Sequence, residues 1–277
     1  MSQRRRLDAE LVRRGLVPSR ARAKELIDDD LVTVGGAVAA KAGRMVDAGE
    51  AIELLAPPPR FVGRGGEKLR AALDRFDVEA AGRRALDVGS STGGFTDCLL
   101  QHGATTVTAV DVGRGQLHER LRADDRVVVR ERTDARDLTI ELLDGAAAQL
   151  VVADVSFISL RAVMEAMRSV STDDADWILL VKPQFEAGRR EASRGRGVIR
   201  DPTVWLRVLD EVGDALVPLR VGIMGVMPSP IRGAEGNVEF LVHGRVGAPV
   251  DADRRRLAVE EAVAEATTRH RAAGGDE

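Results

Sequence analysis

Short apolar runs recur along most of this chain, at 85–88, 107–110, 127–129, 150–153, 178–181, 221–226 and 239–242. Helical patterns lie between most of them. Runs of this kind are strands buried on both faces, and the helices between them are what can cover those faces. The alternation therefore predicts an α/β fold, a parallel, doubly wound sheet. Such sheets bind ligands outside the carboxyl ends of their strands, so the residues that close each run are the ones to inspect for chemistry. Other classes fall away quickly. No apolar run reaches the length of a membrane-spanning helix. The start, Met1-Ser-Gln-Arg-Arg-Arg6, has no apolar stretch of the kind a secretory signal needs. One cysteine, Cys98, allows neither a disulfide framework nor a cysteine metal cluster, so no metal site and no disulfide partner are expected. These features together point to the cytoplasm.

The sheet pattern does not begin at once. Pro57-Pro58-Pro59 can continue neither a helix nor a central strand, and favours a stiff extended spacer. It divides the chain into a small domain at 1–56, a linker at 57–63 and a sheet domain at 64–247. A helix and a disordered tail are expected at 248–277. In the small domain, Leu7, Leu11 and Val12 form an apolar stripe that Gly15 ends. Ser19 can cap the next helix, with Ala23, Leu26 and Ile27 inward and Arg20, Arg22 and Lys24 outward. Leu31-Val-Thr-Val34 and Ala51-Ile-Glu-Leu54 read as strands, with Gly35-Gly36 as a tight turn. The core is thin, which suits an added module better than an enzyme.

Net charge is −3, but its distribution is uneven. Residues 1–24 carry eight basic side chains against Asp8 and Glu10, and 182–200 carry six against Glu186 and Glu191. Two basic segments on an acidic average fit a polyanion touched in two places, or simply two solvated faces.

The first strand of the sheet domain runs into a glycine-rich turn: Ala85-Leu-Asp-Val-Gly-Ser-Ser-Thr-Gly-Gly-Phe95. Glycines let a ligand approach the backbone at a helix N-terminus. The turn residues Gly89, Ser90, Ser91, Gly93 and Gly94 are the candidate cradle. Their spacing is not G-x-G-x-x-G, which argues against a dinucleotide. Asp87 would repel a pyrophosphate and attract the ammonium of a methionine moiety. Asp111 ends the second strand, where an acid can accept from ribose hydroxyls, and Asp134 follows the third, within reach of an adenine amino group. Any one of these acids could be only a cap or loop residue. Three at successive strand ends point to S-adenosylmethionine as cofactor.

The acceptor is narrowed by what is missing. The fourth strand ends in Asp154-Val155-Ser156-Phe157 rather than the Asp/Asn-Pro-Pro-aromatic turn common in nitrogen methyltransferases. Carbon methylation of pyrimidines generally needs a nucleophilic cysteine, and Cys98 reads as a small buried hydrophobe. Oxygen remains.

Two resemblances sharpen this reading. Residues 2–55 resemble the S4 RNA-binding domain through Leu7-Asp8, Arg14-Gly15-Leu16, Ser19-Arg20, Ala23, Leu26-Ile27, Val32-Thr-Val34, Gly36 and Lys41. Asp30 stands where that domain usually has glycine, and Gly35 where it has asparagine. The resemblance implies that Arg20, Arg22 and Lys24, with Arg4, Arg6 and Lys41, grip RNA phosphates, which positions RNA without reading its sequence. In the sheet domain, Arg64-Gly-Gly-Glu-Lys68, Asp154, Val181-Lys182-Pro183 and Gly236-Asn-Val-Glu239-Phe240 resemble the Lys-Asp-Lys-Glu tetrad of the FtsJ-like ribose 2′-O-methyltransferases. The TlyA, or hemolysin A, group joins both parts. Its likeness runs through Ser91-Thr-Gly-Gly-Phe-Thr-Asp97, Asp111-Val-Gly-Arg-Gly-Gln-Leu117, Glu131-Arg-Thr133, Asp154-Val-Ser-Phe-Ile-Ser159 and Val181-Lys-Pro-Gln-Phe-Glu-Ala-Gly188. Gly197-Val-Ile-Arg-Asp201, Ser229-Pro-Ile231 and Gly236-Asn237 continue it. Asp134 departs from the asparagine usual there.

That resemblance implies methylation of cytidine 2′-hydroxyls in ribosomal RNA within ribosomal subunits, with Lys68, Asp154, Lys182 and Glu239 catalytic and Asp154 also at the cofactor. Two roles are open to Lys182. As a neutral base its pKa must fall from about 10.4 to about 7.5, roughly 4 kcal/mol. As a cation it would stabilise the developing alkoxide. Two other functions compete: a catalytically inactive RNA-binding assembly factor, and a membrane-active hemolysin, for which the amphipathic aromatic-rich helix is missing.

Overall fold

A computed structural model describes residues 4–55, 59–188, 191, 197–233 and 235–273. The chain forms two compact units, Met1–Val62 and Gly63–Glu277. Pro57 and Pro58 of the expected linker lie outside the described residues, as do residues 274–277 of the expected tail.

In the first unit, β1 (Arg5–Arg6) leads into α1 (Leu7–Arg13), followed by α2 (Arg20–Asp28). The Ser19 side chain accepts the Arg22 N–H, so the expected cap closes the first turn of α2. Next come β2 (Val32–Val34), β3 (Ala37–Val38), β4 (Met45–Val46) and β5 (Ile52–Leu54). β2 is the middle of an antiparallel sheet ordered β3-β2-β5, and β1 pairs with β4. Gly35 and Gly36, with φ of 61° and 81°, make the two-residue turn between β2 and β3, where both positions need the left-handed region. Leu7, Leu11, Ala23, Leu26, Ile27 and Val32 are buried in one small core. Asp30 sits at φ 59°, which explains why glycine is the usual residue there.

The second unit is built on a seven-stranded sheet. Its strands are β6 (Arg84–Val88), β7 (Thr106–Asp111), β8 (Val127–Glu131), β9 (Ala148–Ala153), β10 (Ser171–Val181), β11 (Val221–Pro228) and β12 (Phe240–Val246). Their order is β11-β12-β10-β9-β6-β7-β8. The five strands from β10 to β8 in that order are parallel, as the alternation predicts. β12 departs from the expectation, being antiparallel to both β10 and β11. Residues 229–239 join β11 to β12, with no helix among the described residues of that link, and a link of that kind returns a strand beside its neighbour in reverse. β10 is also longer than its apolar run, because its first half carries the polar Thr172, Asp173 and Asp174 and a register shift.

Helices cover the sheet: α3 (Gly65–Phe76), α4 (Gly94–Gln101), α5 (Glu119–Arg122), α6 (Met164–Ser169), α7 (Pro183–Glu186), α8 (Pro202–Leu216) and α9 (Ala252–Ala273). The terminal helix is not an appendage. α9 packs on β11 and α8 and adds Val259, Ala262, Val263 and Ala266 to the core. Trp177, Trp205 and Phe240 are fully buried, and both indoles are satisfied: Trp177 donates to Ser171 Oγ at 3.1 Å, Trp205 to the Ile199 carbonyl at 3.1 Å. The reversal of β12 matters for function. Val181 pairs with Phe240, so Glu239, just before β12, arrives beside Lys182, just after β10.

Candidate active site

The turn after β6 is held by its neighbours. The Gly89 N–H donates to the Val110 carbonyl at 2.8 Å, and the Ser91 N–H donates to Asp111 Oδ2 at 2.8 Å. Gly89 has φ 83°, and a Cβ there would lie 2.6 Å from the Asp154 carbonyl oxygen, so only glycine fits between the two strand ends. Gly93, expected to allow a ligand's approach, also has a packing reason to be glycine. A Cβ on Gly93 would collide with Leu117 and Leu121, so its glycine lets the neighbouring loop pack.

A cleft of about 450 Å³ opens at the carboxyl edge, lined among others by Gly89, Ser91, Asp111, Asp134, Asp154 and Phe157. A smaller cavity of about 130 Å³ shares Gly89, Ser91 and Asp154 with it and adds Gly65, Ser90 and Gly94. Asp111 accepts the Ser91 and Gly113 N–H groups, one on each oxygen, and each oxygen keeps a further lone pair for a ligand hydroxyl. Asp134 is on the wall but occupied: it caps a short 3-10 turn through the Arg136 N–H and pairs with the Arg136 guanidinium, which holds its carboxyl at about 2. Asp87 lines neither cavity. It is fully buried, with Oδ2 accepting the Thr96 hydroxyl at 2.6 Å, and burial pushes its pKa up to about 7. The structure therefore puts the Asp87 side chain beneath the glycine turn, against Thr96.

The tetrad resolves into two ion pairs. Lys68 Nζ, in the first turns of α3, meets Glu239 Oε2 at 2.5 Å, and both are buried. Lys182 Nζ lies 2.5 Å from Asp154 Oδ1 and donates to Ser156 Oγ at 2.7 Å. The Lys182–Asp154 contact is Coulombic, since that carboxylate oxygen has no partner with hydrogen-bond alignment. Gly65 brings the start of α3 close to the second pair, a Cβ there being 3.8 Å from Asp154 Oδ2. Buried charges survive in pairs, and of these four residues Asp154 is the one that lines the cleft.

Phe157 is 92% exposed at φ 67°, and its ring centroid is 5.4 Å from that of Phe185. A bulky side chain in the left-handed region is strained, as Ser91 is at φ 47° on the same cleft. Strain of this kind gathers at binding sites.

In the first unit the basic side chains are present but engaged. Arg6 and Arg20 share Asp8 at 3.0 and 2.8 Å, Arg22 pairs with Glu25, Lys24 with Asp28 and Arg4 with Asp47. Asp8 is itself buried, while the two arginines remain more than half exposed. Lys41 is exposed. Of the second basic segment, Arg189, Arg190, Arg194 and Arg196 lie outside the described residues.

The FtsJ-like methyltransferase family matches residues 61–246, the whole of the sheet with its cleft and both ion pairs. The chain belongs to that family. The S4 domain family matches residues 5–52 of this FtsJ-like methyltransferase. It is 47% identical over 243 residues to the 16S/23S rRNA (cytidine-2′-O)-methyltransferase TlyA of Mycobacterium tuberculosis, covering 87% of this chain and 90% of that one. Hemolysin A of Brachyspira hyodysenteriae is 38% identical over 239 residues, with 86% and 98% covered. A solved Streptococcus thermophilus structure bearing a hemolysin name superposes with a TM-score of 0.80 at 34% identity, covering 100% of both chains.

S-adenosylmethionine, the cofactor this fold family implies, fits the residues present. The FtsJ-like cleft has the volume of a small-molecule site. It offers the Asp111 carboxylate for hydroxyls, Val112 and Ile158 as apolar wall, and a glycine cradle that a Cβ at Gly89 would fill. Sequence reasoning gave no role to Ser156, Phe157, Gln116, Thr133 or Arg136, which also line it. Their one shared signal is position, within a few residues of a strand's carboxyl end.

Proposed function

We propose that this chain transfers the methyl group of S-adenosylmethionine to a ribose 2′-hydroxyl, that of a cytidine in ribosomal RNA, within ribosomal subunits in the cytoplasm. One observation carries the reading: a buried lysine, Lys182, contacts a carboxylate and a hydroxyl, Asp154 and Ser156, that both line the cleft. The relative from Mycobacterium tuberculosis, similar over most of both chains, bears that activity in its name.

When bound, S-adenosylmethionine supplies a methyl group on a cationic sulfur, and Asp111 with the Gly89–Ser91 turn would hold it. The chain's own residues must do the rest. A ribose hydroxyl is a weak nucleophile, and it gives up its proton to water as it attacks. Asp154 and Ser156 fix Lys182 from two sides, so its Nζ can meet an incoming oxygen without reorganising. Lys68 is committed to Glu239, which makes that pair a support for the site's electrostatics instead of a second mobile donor. We infer that Lys182 acts as the cation facing the developing alkoxide. Phe157 and Phe185 give the rim an aromatic surface on which an unstacked base can lie. The first unit, with Arg6 and Arg20 exposed beside each other, supplies phosphate contacts. Among the described residues no helix is long and apolar enough to cross a membrane.

The test is to map 2′-O-methyl positions on ribosomal subunits incubated with the protein and labelled S-adenosylmethionine. Label is expected at cytidine riboses only. Label on bases, or none at all, would overturn the reading. A rate that rises with pH through an ionisation lost in Lys182→Ala would instead make Lys182 the base.

A further inference from the structure

Two segments carry the Lys182 site. One follows β9 and holds Asp154, Ser156 and Phe157, and the other follows β10 and holds Lys182. Their alignment needs a cause, because Lys182 reaches Ser156 across the gap between two strand ends. The Asp154 N–H donates to the Val88 carbonyl at 2.9 Å, which fixes the start of the first segment. Its far end is fixed by Glu186, the last residue of α7, four positions beyond Lys182 and buried. One Glu186 oxygen accepts the Leu160 N–H at 2.6 Å, and the other accepts the Ser159 hydroxyl at 2.6 Å. Arg161 adds a third tie, donating to Glu186 Oε2 at 3.3 Å and to the Glu186 carbonyl at 3.2 Å, with Glu211 Oε2 at 3.0 Å behind it.

Phe157, at φ 67°, lies between these two anchors. A strained segment keeps its shape only while both ends are held, and relaxes when one is released. Releasing the Glu186 end would let Ser156 drift from Lys182, and Lys182 from the fixed Asp154. A displacement near 1 Å at a reacting centre is enough to cost about 100-fold in rate.

We propose that Glu186 is a positioning residue for methyl transfer: its buried carboxylate ties Ser159, Leu160 and Arg161 to the segment bearing Lys182, and so sets the alignment of Lys182 with Asp154 and Ser156. Glu186 lines neither cavity. It acts through the loop.

The proposal rests on the methyltransferase reading, so the full-length wild-type protein is assayed first in single turnover on ribosomal subunits. No transfer by the wild type defeats that reading, whereas transfer by the wild type lets the variants decide this one. Glu186→Ala is expected to slow single-turnover transfer by about 10-fold or more, while calorimetric S-adenosylmethionine affinity changes by less than about threefold. Glu186→Gln keeps an oxygen for the Leu160 N–H, and should recover part of the rate. Ser159→Ala removes the hydroxyl's tie to Glu186, together with the 3.3 Å contacts that oxygen accepts from Arg161, without stranding a charge, and serves where Glu186→Ala does not fold. It should slow transfer about threefold or more at unchanged cofactor affinity. Wild-type rates in both Glu186→Gln and Ser159→Ala would overturn the proposal. So would a loss of rate matched by an equal loss of cofactor affinity, since a general structural role would move both together.

Discussion

Asp87 is fully buried, with Oδ2 accepting the Thr96 hydroxyl. Desolvation is the main reason its pKa climbs from 3.8 to about 7, with Asp154 and Asp111 adding repulsion. The direction of the effect on stability follows. Between those two values the folded chain holds a proton that the unfolded chain has released, so stability falls as pH rises from about 4 to about 7 and stays lower above it. Asp87→Asn keeps an acceptor for Thr96 and removes the ionisation. It should therefore be more stable than the wild type at pH 8, and its stability should lose that downward slope. Urea unfolding at several pH values checks this, and parallel slopes for the two proteins would show that Asp87 is not the group responsible. The sequence made Asp87 visible as an acid near the turn, but not its side-chain direction. Alternate residues of a strand face opposite sides, and the choice of side is made by packing.

At the scale of elements, the two ion pairs ought to respond differently to loss of their lysines. Glu239 is 3% exposed on its side chain and Asp154 22%, so only Glu239 would be left as a nearly dry, uncompensated charge. Removing one partner of a buried pair costs about 3–5 kcal/mol. Lys68→Ala should lose stability on that scale, and Lys68→Met with Glu239→Leu should regain much of it without regaining activity. Lys182→Ala should lose less stability and keep cofactor affinity, yet slow transfer by at least about 100-fold. Thermal melts beside single-turnover rates separate the two cases, and near-normal transfer by Lys182→Ala would remove the tetrad from the chemistry. The strands ending in Asp111, Asp154 and Lys182 were legible because each is an apolar run closed by a charge. Glu239 was legible only by family resemblance. Its place depends on the reversal of β12, and a strand's direction leaves no mark in its own composition. Phe157 was visible in the turn after the fourth strand but had no role there, because backbone strain and exposure are properties of the folded loop.

At the scale of the whole molecule, the division into a small basic unit and a sheet unit was legible from the prolines and the shift in pattern, and the units part at Val62 and Gly63. The degree to which the basic unit satisfies its own charges was not legible. Asp8 and Glu10 lie close in sequence to many arginines, but only the fold buries them and draws Arg6 and Arg20 to one acid, Arg13 and Arg14 to the other. The last prediction concerns what that unit contributes. Every cleft residue and both ion pairs lie after Gly63, so a chain beginning at Arg60 should bind S-adenosylmethionine as the full-length protein does. Its affinity for ribosomal subunits should fall, because the exposed Arg6, Arg20 and Lys41 are gone. The salt dependence tells which contacts were lost. Each phosphate neutralised on duplex nucleic acid contributes about −0.9 to the slope of log affinity against log salt, and about −0.7 on a single strand. Losing three such contacts should make the slope shallower by roughly two to three. Filter binding over a salt series measures it directly. A shortened chain that kept both the full affinity and the full slope would show that this unit does not hold the RNA, and that the phosphate contacts come from the sheet unit.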